Sequence, residues 1–356
     1  MDKKLKIAIV VYSLKTGGLE RVVSNQTFMF DALGFEVELF ILENEISFPC
    51  KGKLHVFNLD VSDNLFVKMK KYVKVRNKIQ QSNFDFILDH RYRLGNFMET
   101  FWLKFIYKNQ RLLYFIHSGV TTSYVNFKIA SASNIQFISV SKGIESKVKF
   151  LYPNIKIQTI YNYVEVSENE NQLTELPESY ILAAGRMDKS NVKQFDVLID
   201  CYSKSNLPKQ NIKLLILGSG PLMESLKQQA LNLKLDNLVV FKGFVSDLFS
   251  YYKNAKFFVL SSKNEGLPTV LIESLICETP VISYDCEFGP NEIIQDRING
   301  LLVENQNSMQ LIEAMNLFIS DSDLYQNCKQ NAVNSVLKFS EKSIADEWIQ
   351  FFNDKR

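Results

Sequence analysis

The chain reads from end to end as short apolar runs alternating with longer stretches of helical period. Strand-like runs fall at 6–12, 36–42, 55–58, 84–89, 112–117, 136–140 and 156–161, and again at 180–184, 213–217, 238–241, 257–260, 280–283 and 300–303. Strands separated by helices cannot be hairpins, so the expected sheets are parallel with helices packed on their faces, an α/β architecture. A chain of 356 residues is too long for one typical core. The polar stretch SENENQLTELPES, 167–179, breaks the alternation and reads as an interdomain linker. Two doubly wound, Rossmann-like domains are therefore expected, 1–166 and 180–338. In such sheets ligands bind at the carboxyl ends of the strands, here in the cleft between the two domains.

Composition narrows the setting. Hydrophobic content of 46% and charge of 22% describe an ordinary globular protein. Cys50, Cys201, Cys277, Cys286 and Cys328 are odd in number and scattered, which fits a reducing cytoplasm and argues against a disulfide framework or a zinc site. The lysine-led apolar run at the N-terminus is short and lacks a cleavage pattern, so it reads as a first strand, and no run is long enough to span a membrane. The net charge of +2 hides an asymmetry: residues 1–150 hold 22 Lys and Arg against 13 Asp and Glu, whereas residues 151–356 hold 19 against 26. A basic first half implies an anionic partner such as a membrane surface. Its densest run, Lys68, Lys70, Lys71, Lys74, Arg76 and Lys78, is interleaved with Val67, Met69, Tyr72, Val73, Val75 and Ile79. It reads either as a helix lying on anionic lipid or as a solvated face packed on a sheet.

The loops after the strands carry the chemistry. Gly17 and Gly18 follow the first strand and allow close approach of a ligand to backbone, but without the spacing of a dinucleotide fingerprint. Arg186 follows the strand YILAAG and Lys193 precedes a helix, a plausible diphosphate clamp in which Arg forks onto two oxygens and Lys supplies a point charge. Taken alone they are also readable as two exposed cations. Gly218 and the pair Gly243–Phe244 make further close turns, commoner as plain turn chemistry. His117 ends the strand LLYFIH, where it is either a satisfied core group or directed at the ligand. His90, Arg91 and Arg93 occupy the loop after FDFILD, where they could read an anionic or sugar acceptor. No metal is expected: Asp321-Ser322-Asp323 starts a helix, where acids favour the N-terminus, and the three histidines show no ligand spacing.

The strongest local signal is the pair Glu265 and Glu273 in SSKNEGLPTVLIESLICETP. Pro268 suits the first helical position, and the helix is expected over 269–278. Val270, Leu271, Ile272, Leu275 and Ile276 cover most of its surface, so Glu273 is a buried carboxylate that needs a partner. Glu265 lies just ahead of the helix, where free N–H groups gather anions. The plain alternative is two surface glutamates on an ordinary helix.

The spacing NEGLPTVLIE, the pattern GRMDKSNVKQFDVLI, and TGGLERV, YFIHSG, ISVSKG, IYNYV, ILGSGPL and FKGFVSDL in that order resemble family 4 retaining glycosyltransferases of the GT-B fold over nearly the whole chain. The resemblance implies an acceptor-binding first domain, a nucleotide-sugar-binding second domain, and a terminal helix, 339–356, packing back on the first. It implies that Arg186 and Lys193 hold the donor diphosphate and that Glu273 takes the ribose hydroxyls. Glu265 with the N–H groups of Gly266 and Leu267 would face the sugar, His117 would approach it from the other domain, and Gly17 and Gly18 would approach the phosphates. Gly218, Gly243 and Phe244 join the nucleotide-sugar site, and no divalent ion is required. EGLPTVLIES and DCEFGPNEII look most like bacterial enzymes that extend lipopolysaccharide, capsule or lipid-linked oligosaccharides. These use a nucleotide sugar, UDP-linked, and work in the cytoplasm against the inner face of the membrane. The competing readings are a non-catalytic nucleotide-sugar-binding partner of another transferase and a GT-B nucleotide-sugar epimerase. No nucleic-acid motif accompanies the basic half.

Overall fold

A computed structural model describes residues 4–15, 17–92, 95–118, 135–165, 176–245 and 248–355. The chain divides into two compact units, Met1–Tyr163 with Glu341–Arg356, and Val164–Ser340. Most of the expected linker, residues 167–175, lies outside the described residues.

All thirteen expected strands form. In the first unit they are β1 Lys6–Val11, β2 Glu36–Ile41, β3 Lys53–Val56, β4 Phe86–Asp89, β5 Leu112–Ile116, β6 Ile135–Ser139 and β7 Ile157–Thr159. They make one sheet in the order β3-β2-β1-β4-β5-β6-β7. In the second unit β8 Tyr180–Ala184, β9 Lys213–Leu217, β10 Val239–Gly243, β11 Phe258–Leu260, β12 Val281–Tyr284 and β13 Gly300–Val303 make a sheet in the order β10-β9-β8-β11-β12-β13. Neighbouring strands pair in parallel throughout. Their near-continuous apolar runs follow from that, because helices cover both faces of a parallel sheet. Strand order reverses between β1 and β4 in one unit and between β8 and β11 in the other. At such a reversal adjacent loops leave in opposite directions and open a crevice for ligand.

The last helix, Glu341–Lys355, belongs to the first unit although the chain has by then completed the second. It buries Ile344, Trp348, Phe351 and Phe352 in the same core as Phe30 and Phe86. Trp348 meets Phe30 edge-on at 5.5 Å, and Phe352 tilts over Phe86 at 4.9 Å. The helix after Glu265 is shorter than expected, Thr269–Ile276: Pro268 stands one place before it as the N-cap, and Glu278 adopts a left-handed φ of 59° that stops it. The Asp321-x-Asp323 letters are a helix start, with the Asp321 carboxylate accepting from the Leu324 N–H at 3.0 Å. Among the described residues no helix is long and apolar enough to cross a membrane.

Trp348→Ala removes the largest side chain of this C-terminal seam. It should destabilise the first unit by about 3–5 kcal/mol, read as a lowered midpoint in chemical denaturation.

Candidate active site

In the second unit the loops leaving β8 and β11 meet at the reversal of strand order. The β8 exit carries Gly185, Arg186 and, after a short loop, Lys193; the β11 exit carries Ser261 to Glu265. The two are stitched together by hydrogen bonds. The Ser261 hydroxyl donates to the carbonyl oxygens of Lys193 at 2.8 Å and Gln194 at 3.2 Å, and the Lys263 N–H donates to the Val192 carbonyl at 2.8 Å. Asn191 and Gln194, on either side, both take left-handed φ values, 50° and 48°. Such conformations cost free energy and persist where surrounding bonds enforce them.

This framework delivers Lys193 to Glu265, whose Oε1 lies 2.6 Å from the lysine Nζ with both side chains largely enclosed. Gly185 is part of the arrangement: a Cβ there would lie 3.0 Å from Cγ and Cε of Lys193, so the missing side chain is the groove in which the lysine stem rests. Gly218 must likewise be glycine, since a Cβ would collide with the Gly185 carbonyl oxygen, and its N–H donates to the Gly243 carbonyl at 2.7 Å. Arg186 is exposed and pairs with no carboxylate among the described residues. Gly266 and Leu267 are buried, and among the described residues neither N–H donates to a backbone carbonyl. Phe244, beside Gly243, exposes its ring.

Glu273 is buried at 3% exposure, and Tyr252, also buried, donates its hydroxyl to Oε2 at 3.1 Å. A ligand is therefore not this carboxylate's sole possible partner: the tyrosine, 21 residues upstream in the short helix Phe249–Lys253, carries no sequence motif that marks it. Burial, with Glu265 adding to it, pushes the Cys286 thiol in the next loop up to about 12.

The first unit has its own strand-end cluster, and two expectations there need correction. Arg91, expected at an acceptor, is 1% exposed. It forks onto Asp89, Nη2 to Oδ2 at 2.8 Å and Nε to Oδ1 at 3.1 Å, reaches Glu99 at 3.4 Å, and stacks 3.7 Å above the Trp102 ring. Burial works against its charge, but Asp89, Tyr107, Glu99 and Tyr12 more than offset it and hold the guanidinium charged. His90, also 1% exposed, packs on Phe115 and shares a 2.9 Å contact between its Nδ1 and His117 Nε2. Both residues turn inward because the sheet end offers aromatic surface and carboxylates rather than water. Arg93 lies outside the described residues. His117 stands at the end of β5 with one ring nitrogen committed to His90. Gly17 caps the helix Gly18–Ala32, and the Glu20 carboxylate folds against it, in the space a Cβ would need.

The two sheets of this order define the GT-B fold of glycosyltransferases. Among solved structures, the Anabaena Alr3699/HepE protein in complex with UDP and glucose matches 98% of this chain and 100% of its own, with TM-score 0.80 at 18% identity. Residues 166–335 match the family model Glycosyl transferases group 1. Among curated proteins it is 28% identical to a Campylobacter jejuni enzyme, N-acetylgalactosamine-N,N'-diacetylbacillosaminyl-diphospho-undecaprenol 4-alpha-N-acetylgalactosaminyltransferase, over 97% of this chain and 99% of that one. It is 23% identical to the amylovoran biosynthesis glycosyltransferase AmsD of Erwinia amylovora over 98% and 99%.

Arg91→Ala would leave Asp89 and Glu99 as uncompensated buried carboxylates. It should destabilise the first unit by about 3–5 kcal/mol in chemical denaturation, the signature of a structural ion group rather than a ligand contact.

Proposed function

We propose that the protein is a retaining glycosyltransferase that moves a hexose or N-acetylhexosamine from a nucleotide sugar, UDP-linked, to a membrane-linked saccharide in surface polysaccharide assembly, without a metal ion. The observation that carries this reading is the constellation at the reversal of strand order in the family-matched unit: Lys193 on Glu265, with Arg186 exposed in the same loop as Lys193. The names of the relatives, one acting on a diphospho-undecaprenol-linked saccharide, support the acceptor class.

In this reading Arg186 and Lys193 meet the diphosphate, and the N–H groups of Gly266 and Leu267 add donors aimed at developing negative charge. Gly218, Gly243 and Phe244 border the nucleotide, Glu273 takes ribose hydroxyls in the orientation Tyr252 gives it, and Glu265 orients the sugar. Gly17, Gly18 and His117 of the first unit supply the remaining donor contacts. The sugar C1–O bond to phosphate breaks, the acceptor hydroxyl oxygen bonds to C1 on the same face, and its proton passes to the departing phosphate oxygen. Two cations and backbone N–H groups neutralise the leaving group, so chelator should leave the rate unchanged.

A screen of nucleotide sugars for nucleotide release, with membrane extract as acceptor, tests the reading. Release should depend on acceptor and fall by about two orders of magnitude or more in Lys193→Ala. Turnover without acceptor points to an epimerase, and binding without turnover to a non-catalytic partner; either outcome sinks the proposal.

The acceptor's membrane is met by the helix Leu65–Gln81. Its inner side is fixed by buried Val75 and Ile79 and by Tyr72, edge-on to Phe101 and Trp102. Lys68 donates to the Val61 carbonyl, and Lys71 pairs with Asp63 at 2.6 Å, so these two lysines tie down the helix start. Leu65 and Phe66 are 78% and 79% exposed, Met69 and Val73 are exposed with them, and Lys70 and Lys74 follow on the adjoining part of the outer face. An apolar stripe flanked by lysines fits an anionic lipid surface. Lys70→Glu/Lys74→Glu and Leu65→Ser/Phe66→Ser should each weaken sedimentation with phosphatidylglycerol vesicles about tenfold or more. Unchanged sedimentation of both would return the helix to a solvated role.

A further inference from the structure

The Lys193–Glu265 pair sets two anions in competition for one ammonium. The lysine has little freedom to avoid the choice. Its stem rests in the groove at Gly185, and its backbone is tied down through the Ser261 and Lys263 bonds to Val192, Lys193 and Gln194. Its Nζ sits 2.6 Å from Glu265 Oε1. A diphosphate drawn to Lys193 and Arg186 would arrive beside a carboxylate already holding that ammonium, and one ammonium cannot give its full attraction to both anions. A sugar changes the balance, because its hydroxyls can donate to Glu265 in place of the lysine. A nucleoside diphosphate without its sugar offers Glu265 no donors in return.

Resting on the nucleotide-sugar reading above, we infer that Glu265 discriminates donor from product: it reclaims Lys193 once the sugar has left and so weakens the hold on the nucleoside diphosphate. The carboxylate thereby acts after transfer as well as during it, and product release is built into the same pair that positions the sugar. Arg186, with no carboxylate partner among the described residues, contributes equally to donor and product and cannot supply this distinction.

The experiment is a double-mutant cycle on binding of UDP, with GDP in parallel, measured by calorimetry in metal-free buffer on folded full-length chain. Glu265→Gln should bind UDP about tenfold tighter than wild type. Glu265→Ala, a second variant in case the first folds poorly, should shift in the same direction. In the Lys193→Ala background the Glu265→Gln gain should shrink to less than about twofold, because the competition runs through the lysine. Equal or weaker UDP binding by both Glu265 variants overturns the inference while leaving the donor site intact. A gain that survives in the Lys193→Ala background also overturns it, assigning the effect to general charge repulsion. If wild type binds neither nucleotide, the nucleotide-sugar reading itself falls and the inference with it.

Discussion

Lys193 is held in place by a strand other than the one it follows. The lysine belongs to the loop after β8, yet its carbonyl and its neighbours' carbonyls are bound by Ser261 and Lys263 from the exit of β11. That tie exists only because the sheet order sets β11 next to β8, two strands far apart in sequence. A free lysine side chain carries about 2 kcal/mol of rotamer entropy, so an ammonium that acts as a positioned charge needs this kind of confinement. Gly185 and the left-handed residues Asn191 and Gln194 are then parts of one device: each gives backbone or stem a path that an ordinary residue in ordinary geometry would block.

Three enclosed charged groups of the protein are held in different ways. Arg91 is sealed with Asp89 and Glu99 under aromatic rings, a closed group in which any change leaves a bare charge. Glu273 is buried with a neutral partner, Tyr252, which satisfies one oxygen without cancelling the charge. Lys193 and Glu265 are paired yet keep 22% and 13% of their side-chain surface in solvent. Of these three, the last exchanges partners at the lowest cost, since neither ion must cross a fully dry interior to do so. Chemistry that makes and breaks charge belongs there.

The sequence made the alternation of strands and the place of the second unit's loops legible, because those depend on local period and on turn residues. Every strand was placed to within a few residues, and Lys193 and Glu265, 72 positions apart, are brought into contact. What it could not reveal were partners chosen by packing. Tyr252 lies in a five-residue helix with no motif, and nothing local marks it as the donor to Glu273. The His90-Arg91 dipeptide looked like an exposed polar loop, yet both side chains fold under the sheet end. The one available hint was Asp89 two residues before Arg91, with Glu99 and Trp102 at helical spacing beyond. Acid, arginine and aromatic so close together are as consistent with a buried ion group as with a binding loop, and burial alone decides.

The first unit joins its outer helix to its strand ends through one aromatic group. Trp102 lies under the Arg91 guanidinium at 3.7 Å and meets Tyr72 of the helix Leu65–Gln81 at 5.8 Å. Phe101 touches the same tyrosine at 5.4 Å, and Arg76 of that helix lies 5.0 Å from the Phe105 ring. The outward residues Leu65, Phe66, Lys70 and Lys74 thus ride on a helix whose inner side is fixed to the carboxyl end of β4. Close packing transmits position with little slack, so whatever surface the helix rests on also fixes the height of that strand end. The distance from the outer face of the helix to the end of β4 is thus a structural constant of this unit. The buried Asp89–Arg91–Glu99 group is part of what keeps it constant.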